Sequence, residues 1–241
     1  MDKTEGIHES TIHSEILGEE VTFQYYIPKN YTDLYKYHTI FTFDSQDFFK
    51  YGQIDRIYER LYKENKIERA IIIGIPYPTV EWRNHYFHPE GDKSTDFMRF
   101  VTKEFAPFMD KNFSTFKMGS SRILMGESLA GSFALKTAIS YPNTFNKVLA
   151  FSPMISDTFK DFILESPGIE KIDFYHTIGL DEKRFTTIMG KEADFLTPNR
   201  ELNEEIEYTP YLYTYKELEG GHIWKTWKPE LEHAVEYFIK K

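Results

Sequence analysis

Apolar residues along this chain gather alternately into short strand-like runs and helical stripes. Residues 12–16 and 21–27 read as a hairpin turning at Leu17-Gly18-Glu19-Glu20, and residues 39–43 as the next strand. Ile54, Ile57, Tyr58, Leu61 and Tyr62 then recur at helical spacing. Residues 70–75 are an unbroken apolar run, the pattern of a parallel strand buried on both faces. Phe97, Phe100, Val101, Phe105 and Phe108 line a further helix as a core stripe. Residues 121–125 make a short strand, and Leu129, Phe133, Ala134, Ala138 and Ile139 a helix that stops at Tyr141-Pro142-Asn143. Beyond it come a strand over 147–151, a short helix over 158–164, a strand over 172–178, a helix near 199–205 and a strand over 211–218. Pro229 is expected to open a last helix with Leu231, Ala234, Val235 and Phe238 on one face. Strands alternating with helices predict an α/β fold: a mainly parallel central sheet with helices on both faces, its functional residues at strand ends, and no large lid.

Composition narrows the class. With 241 residues, 41% of them hydrophobic, the chain can bury a sizeable core as one domain over 1–241. Its net charge of -9, from 29 basic against 38 acidic residues without a basic stripe, argues against nucleic acid as a partner. There are no cysteines, so neither disulfides nor thiolate chemistry is available. Residues 1–20 are polar and charged, and no apolar run reaches the length of a membrane span. A cytoplasmic protein without membrane insertion is expected. Nothing in the sequence fixes an oligomeric state.

The chemistry concentrates in Leu124-Met125-Gly126-Glu127-Ser128-Leu129-Ala130-Gly131, an apolar strand running into a glycine, a serine two residues on, and small residues that open a helix. This is the composition of a nucleophile elbow, where a serine sits on a sharp strand-to-helix turn. The positions two before and two after it must be small because backbones pass closely there; Gly126 and Ala130 fill them, alanine standing where glycine is usual. A serine nucleophile needs a base, and Gly220-Gly221-His222-Ile223-Trp224 supplies a histidine in a glycine-rich turn. The third member should be a carboxylate between them in sequence, just past a strand. Gly179-Leu180-Asp181-Glu182 follows the 172–178 run directly, leaving Asp181 and Glu182 as candidates.

Several further segments follow in one order. Phe43-Asp44-Ser45-Gln46-Asp47-Phe48-Phe49, the 83–89 loop that begins at Arg83, Phe105-Ala106-Pro107, the elbow, Pro142-Asn143-Thr144-Phe145, Ala150-Phe151-Ser152-Pro153 and the His222 turn together resemble a family of α/β-hydrolases. That family contains esterase D (S-formylglutathione hydrolase), the enterochelin esterases, the feruloyl esterases and the secreted mycolyltransferases. Departures are Ser45, where the family usually has glycine, and His85, near where a glutamate is common. The resemblance implies Ser128 as nucleophile, His222 as general base and Glu182 as the acid, three residues after Gly179, with Asp181 its rival. It also implies an oxyanion hole from the backbone N–H groups of Leu129 and Gln46.

Tyr77, Trp82, Tyr86, Phe87 and Trp224 are candidates for an apolar substrate wall, with Arg83 an anchor for a negative substrate group, although aromatic residues in so aromatic a chain also serve as ordinary packing. Asp44 is expected to brace its turn. His85 and His88 have a spacing that could hold a metal, but no further ligand cluster accompanies them, and neither metal nor cofactor is expected. These readings point to a serine carboxylester hydrolase acting on a small-molecule ester of short-acyl, aromatic or siderophore type. An acyltransferase or thioesterase on the same residues, and a catalytically inactive binding protein of the same fold, are the alternatives.

Overall fold

In the computed structural model, residues 1–187, 190–206 and 208–241 are described. The chain opens with β1 (Gly6–Ser14) and β2 (Glu19–Ile27), then β3 (His38–Phe43), a single helical turn α1 (Ser45–Asp47), α2 (Ile54–Lys63) and β4 (Ala70–Ile75). Next come α3 (Val80–Phe87), α4 (Ser94–Phe100), α5 (Ala106–Asn112), β5 (Arg122–Glu127), α6 (Leu129–Ser140), β6 (Lys147–Phe151), α7 (Asp157–Glu165) and β7 (Asp173–Gly179). A two-residue hairpin pair β8 (Phe185–Thr186) and β9 (Glu192–Ala193), α8 (Leu196–Ile206), β10 (Leu212–Leu218) and α9 (Trp224–Ile239) complete it.

Eight strands form one sheet in the order β1-β2-β4-β3-β5-β6-β7-β10. β2 pairs antiparallel with β1 and with β4, and every pair from β4 to β10 is parallel. The mainly parallel sheet with helices on both sides agrees with the α/β expectation. Side-chain alternation explains why both faces are covered: Ile71, Ile73 and Ile75 enter one core, and Ala70 and Ile72 the other. The first core packs Phe41, Phe43 and Leu124 against Phe87, Phe97, Phe105 and Phe133. The second packs Ile40, Ile123 and Met125 against Ile57 and Leu61 of α2 and Leu231 and Val235 of α9.

Four local expectations change. β1 starts at Gly6 instead of residue 12, because this edge strand alternates half-buried with exposed residues and carries few apolar ones. The 76–93 connection contains α3, whose first turn is capped by Thr79 accepting from the Trp82 N–H at 3.0 Å. Between α4 and α5, residues 101–105 adopt a π-helical turn, so the Phe97 to Phe108 stripe is a helical ridge with a shifted register. The last helix begins at Trp224, so Pro229 lies inside it and does not open it. That earlier start puts His222 two residues ahead of a helix. No helix among the described residues is long and apolar enough to cross a membrane.

Candidate active site

Ser128 sits between the last residue of β5 and the first of α6, with φ 56° and ψ -125°. That conformation is costly for a residue with a Cβ, and its neighbours hold it in place. Its own N–H donates to the Phe151 carbonyl at 2.8 Å, and its carbonyl accepts from Ser132 N–H at 3.0 Å. A Cβ on Gly126 would lie 2.2 Å from the Ala130 carbonyl oxygen, which is why this position has to be glycine. Ala130 and its carbonyl pass directly over Gly126.

Glu182 lies in the turn after β7 and is fully buried, whereas Asp181 beside it is exposed. Its Oε2 and the Nδ1 of His222 are 2.7 Å apart. Its Oε1 accepts from the Ser152 hydroxyl at 2.6 Å and from the Gly179 N–H at 2.9 Å. Ser152 in turn accepts from the Trp227 indole N–H at 2.9 Å. The carboxylate is therefore held at both oxygens, and only one of them faces the imidazole. Gly179 has no room for a side chain, since a Cβ there would meet Glu182 Oε1 and the Gly220 carbonyl, each at 2.5 Å.

The imidazole of His222 lies in an aromatic box. Phe185 of β8 stacks on it at 4.6 Å between ring centres, Phe195 meets it edge-on at 5.0 Å, and so does Trp227 at 5.0 Å. Phe185, Phe195 and Trp227 escaped the sequence reading because two of them lie outside any apolar period and Trp227 reads as an ordinary helix-face residue. Ser152 was visible only as part of a motif. Its signal is positional: it follows β6 at φ 45°, one strand over from the elbow.

Asp44 closes β3 with φ 62° and leads into α1. Arg83 of α3 donates to Asp44 Oδ2 through Nε at 2.7 Å and also through Nη2. The same Nη2 reaches the Glu127 carbonyl and Oε2, each at 3.2 Å. Asp44 does brace its turn, by way of Arg83. This counts against the reading of Arg83 as a substrate anchor: the residue is 6% exposed, and its Nε and Nη2 are taken up by Asp44 and Glu127. Phe87 is likewise withdrawn from the proposed pocket wall, being wholly buried against Phe43 and Phe133. Tyr86 is buried too, its ring stacked on Trp82 at 4.2 Å and its hydroxyl donating to Glu19 at 2.7 Å. Trp82, Tyr77 and Trp224 remain partly exposed. Trp224 packs edge-on against Phe48, and the Tyr77 carbonyl and N–H hold the Gln46 side chain at 3.2 and 3.3 Å.

Leu129 and Gln46 both fall in the first turn of a helix, where backbone N–H groups have no partner within the helix. His85 pairs with Asp92 at 2.6 Å on the surface. Among the described residues, no group of three or more His, Asp or Glu side chains gathers as a metal site.

A fold of this strand order with a strained serine after the fifth strand defines an α/β-hydrolase. Residues 14–238 match the family model described as "Putative esterase", and the chain belongs to that family. Over 233 residues it is 37% identical to the uncharacterized protein YjcH of Bacillus subtilis (strain 168), an alignment covering 97% of each chain. A ferulic acid esterase superposes with a TM-score of 0.81 at 16% identity, covering 98% of both chains. The enterobactin esterase FES from Shigella flexneri, solved in the presence of enterobactin, gives 0.82 at 16% identity, over 97% of this chain and 58% of that one. These two structures speak for the fold; membership of the family supports a hydrolase of carboxylic esters.

Proposed function

We propose that this protein is a serine carboxylester hydrolase that works through an acyl-enzyme on Ser128. The observation that carries the reading is the engagement of His222 Nδ1 by the buried, doubly anchored Glu182, which leaves Nε2 as the basic nitrogen. His222 Nε2 takes the Ser128 proton as Oγ attacks the ester carbonyl, and Glu182 stabilises the imidazolium that forms. The carbonyl oxygen becomes an oxyanion, received by the N–H groups of Leu129 and Gln46, each worth about 3 kcal/mol or more in a water-poor site. The tetrahedral intermediate collapses when His222 returns its proton to the leaving alcohol. Water, activated by the same imidazole, then clears the acyl group.

The aromatic box around His222, together with the partly exposed Tyr77, Trp82 and Trp224, suits short acyl or aromatic esters. Siderophore-type esters fall within that range, in keeping with the names of the neighbouring structures. Ser128→Ala tests the reading: on a p-nitrophenyl acyl ester kcat should fall by roughly 10⁴ to 10⁶ with KM little changed. Retention of more than about a tenth of the activity would remove Ser128 from the role.

A further inference from the structure

Two carboxyl groups and one guanidinium are buried together beneath the elbow: Asp44 at 0% exposure, Glu127 at 6% and Arg83 at 6%. With both acids ionised this cluster would hold a net negative charge away from water, between the Gln46 turn and the Ser128 elbow. Such a charge is expensive to bury. The hydrogen bonds give the way out. Asp44 Oδ2 takes both Arg83 donors, so Asp44 is the ionised partner of the arginine. Its other oxygen, Oδ1, is buried with no donor among the described residues as long as Glu127 is ionised. Glu127 is the neighbour that can supply one, since its Oε2 already lies on the same guanidinium.

We propose that Glu127 carries a proton that it donates to Asp44, so that Arg83, Asp44 and Glu127 form a neutral clamp fastening the Gln46 turn to the Ser128 elbow. The clamp spans two adjacent strands. Asp44 directly follows β3, Glu127 ends β5, and these strands pair in parallel with Thr42 opposite Met125. Arg83 bonds the Glu127 main-chain carbonyl, the peptide unit that leads into Ser128, as well as both carboxyl groups. The three residues are positioning residues for the reaction proposed above, because they fix where one oxyanion donor stands relative to the nucleophile.

Burial first, and then the charge of Asp44, push the Glu127 carboxyl up to about 8 against the pull of Arg83. Burial raises Asp44 as well, with Arg83 opposing it. The other titratable groups facing the cluster do not supply the change. Asp47 of α1, raised to about 6 by burial and then by Asp44, is ionised before Glu127 loses its proton. Tyr77, whose ring lies 5.5 Å from the Arg83 guanidinium carbon, is pushed up to about 12, chiefly by burial. Once Glu127 ionises, the Asp44 contact turns repulsive and a net negative charge loosens the clamp between the Gln46 turn and the elbow.

The test compares the wild type with Glu127→Gln, an amide that can still donate to Asp44 Oδ1 but cannot ionise. Because an amide donates more weakly, kcat on p-nitrophenyl butyrate at neutral pH should fall about threefold to tenfold, with KM nearly unchanged. The deciding readout is the shape of the pH profile. Wild-type kcat should fall about fivefold to tenfold across the alkaline range centred on about pH 8, and the variant's profile should be flat there. The same alkaline limb in both proteins, or none in the wild type, overturns the proposal. Infrared spectroscopy of the two proteins at neutral pH gives a readout that does not depend on catalysis. The carbonyl band of one protonated carboxyl group should be present in the wild type and absent from Glu127→Gln, and a spectrum without that difference refutes the shared proton. The kinetic arm rests on the Ser128 reading, whereas the infrared arm stands if that reading fails.

Discussion

Replacing Glu182 by glutamine changes one oxygen into an NH2 group, and the structure dictates which one. Oε1 receives two donors, the Ser152 hydroxyl at 2.6 Å and the Gly179 N–H at 2.9 Å. The backbone N–H cannot reverse its role, so the amide oxygen must stay on that side and the NH2 must face His222. Nδ1 then has to accept, which puts the ring proton on Nε2, the nitrogen that should take the proton of Ser128. The variant therefore holds the imidazole in the wrong tautomer and also removes the charge that stabilises the imidazolium. Together these should lower kcat by about 10² to 10⁴, or about 2.7 to 5.5 kcal/mol of barrier, with KM within a few-fold. Asp181→Asn is the control: Asp181 is exposed and its N–H bonds the Gly220 carbonyl, so its kcat should change by less than about threefold. Initial rates on p-nitrophenyl butyrate, with circular dichroism to check the fold, decide the matter. Glu182→Gln retaining more than about a third of wild-type kcat, or Asp181→Asn losing more than it, would refute the reasoning.

Three other outcomes follow from separate parts of the structure. Gly126→Ala should abolish activity and cost several kcal/mol in a denaturant titration, because its Cβ falls 2.2 Å from a backbone oxygen, while Gly131→Ala, at 3.1 Å from the Gly126 oxygen, should stay folded; equal stability of the two would contradict the close passage. His176 is fully buried between Tyr213 and Asn199, and burial lowers it to about 4, against about 6.5 when unfolded. Its neutral form therefore stabilises the fold above about pH 6.5, and that share is lost as pH falls toward about 4: the stability advantage of wild type over His176→Gln should shrink by about 2 kcal/mol between pH 7 and pH 5, and a constant difference would count against it. The β6 to β7 crossover carries only the nine-residue α7 as its long helix. Against p-nitrophenyl esters of increasing length, kcat/KM should be highest for short chains and fall beyond about eight carbons, and a steady rise to palmitoyl esters without micelles would refute this.

The centre of the sheet was legible because β4, β5 and β6 carry apolar runs buried on both faces and the longer helices keep a stripe. Ala70–Ile75, for example, is all aliphatic apart from Gly74 and is buried throughout. β1 was only half legible because an edge strand needs no apolar face, and α3 was read as a loop because its eight residues carry no stripe and it is held by the Thr79 cap at its start and a buried arginine in its middle. Ser128, His222 and Glu182 stood out because a strained turn, a glycine-rich turn and a strand end each demand particular residue types. The supporting contacts did not stand out. Arg83 reads in sequence as a charge available to substrate, and only the approach of three separate segments shows it bonded to Asp44 and Glu127. Phe87 and Tyr86 look like a pocket wall for the same reason: an aromatic residue in a connection carries no mark of which way it points. Ser152, Phe185 and Phe195 come from three segments spaced along the chain, and only folding brings them around Glu182 and His222.

The central claim is that Ser128 forms a covalent acyl intermediate with His222 as its base. Intact-mass spectrometry after treatment with a fluorophosphonate, followed by peptide mapping, tests it most directly. A single adduct on the peptide containing Ser128 is expected, absent in Ser128→Ala and formed at least about a hundredfold more slowly in His222→Ala. A wild-type protein that takes up no adduct, or takes it up at another residue, would contradict the account.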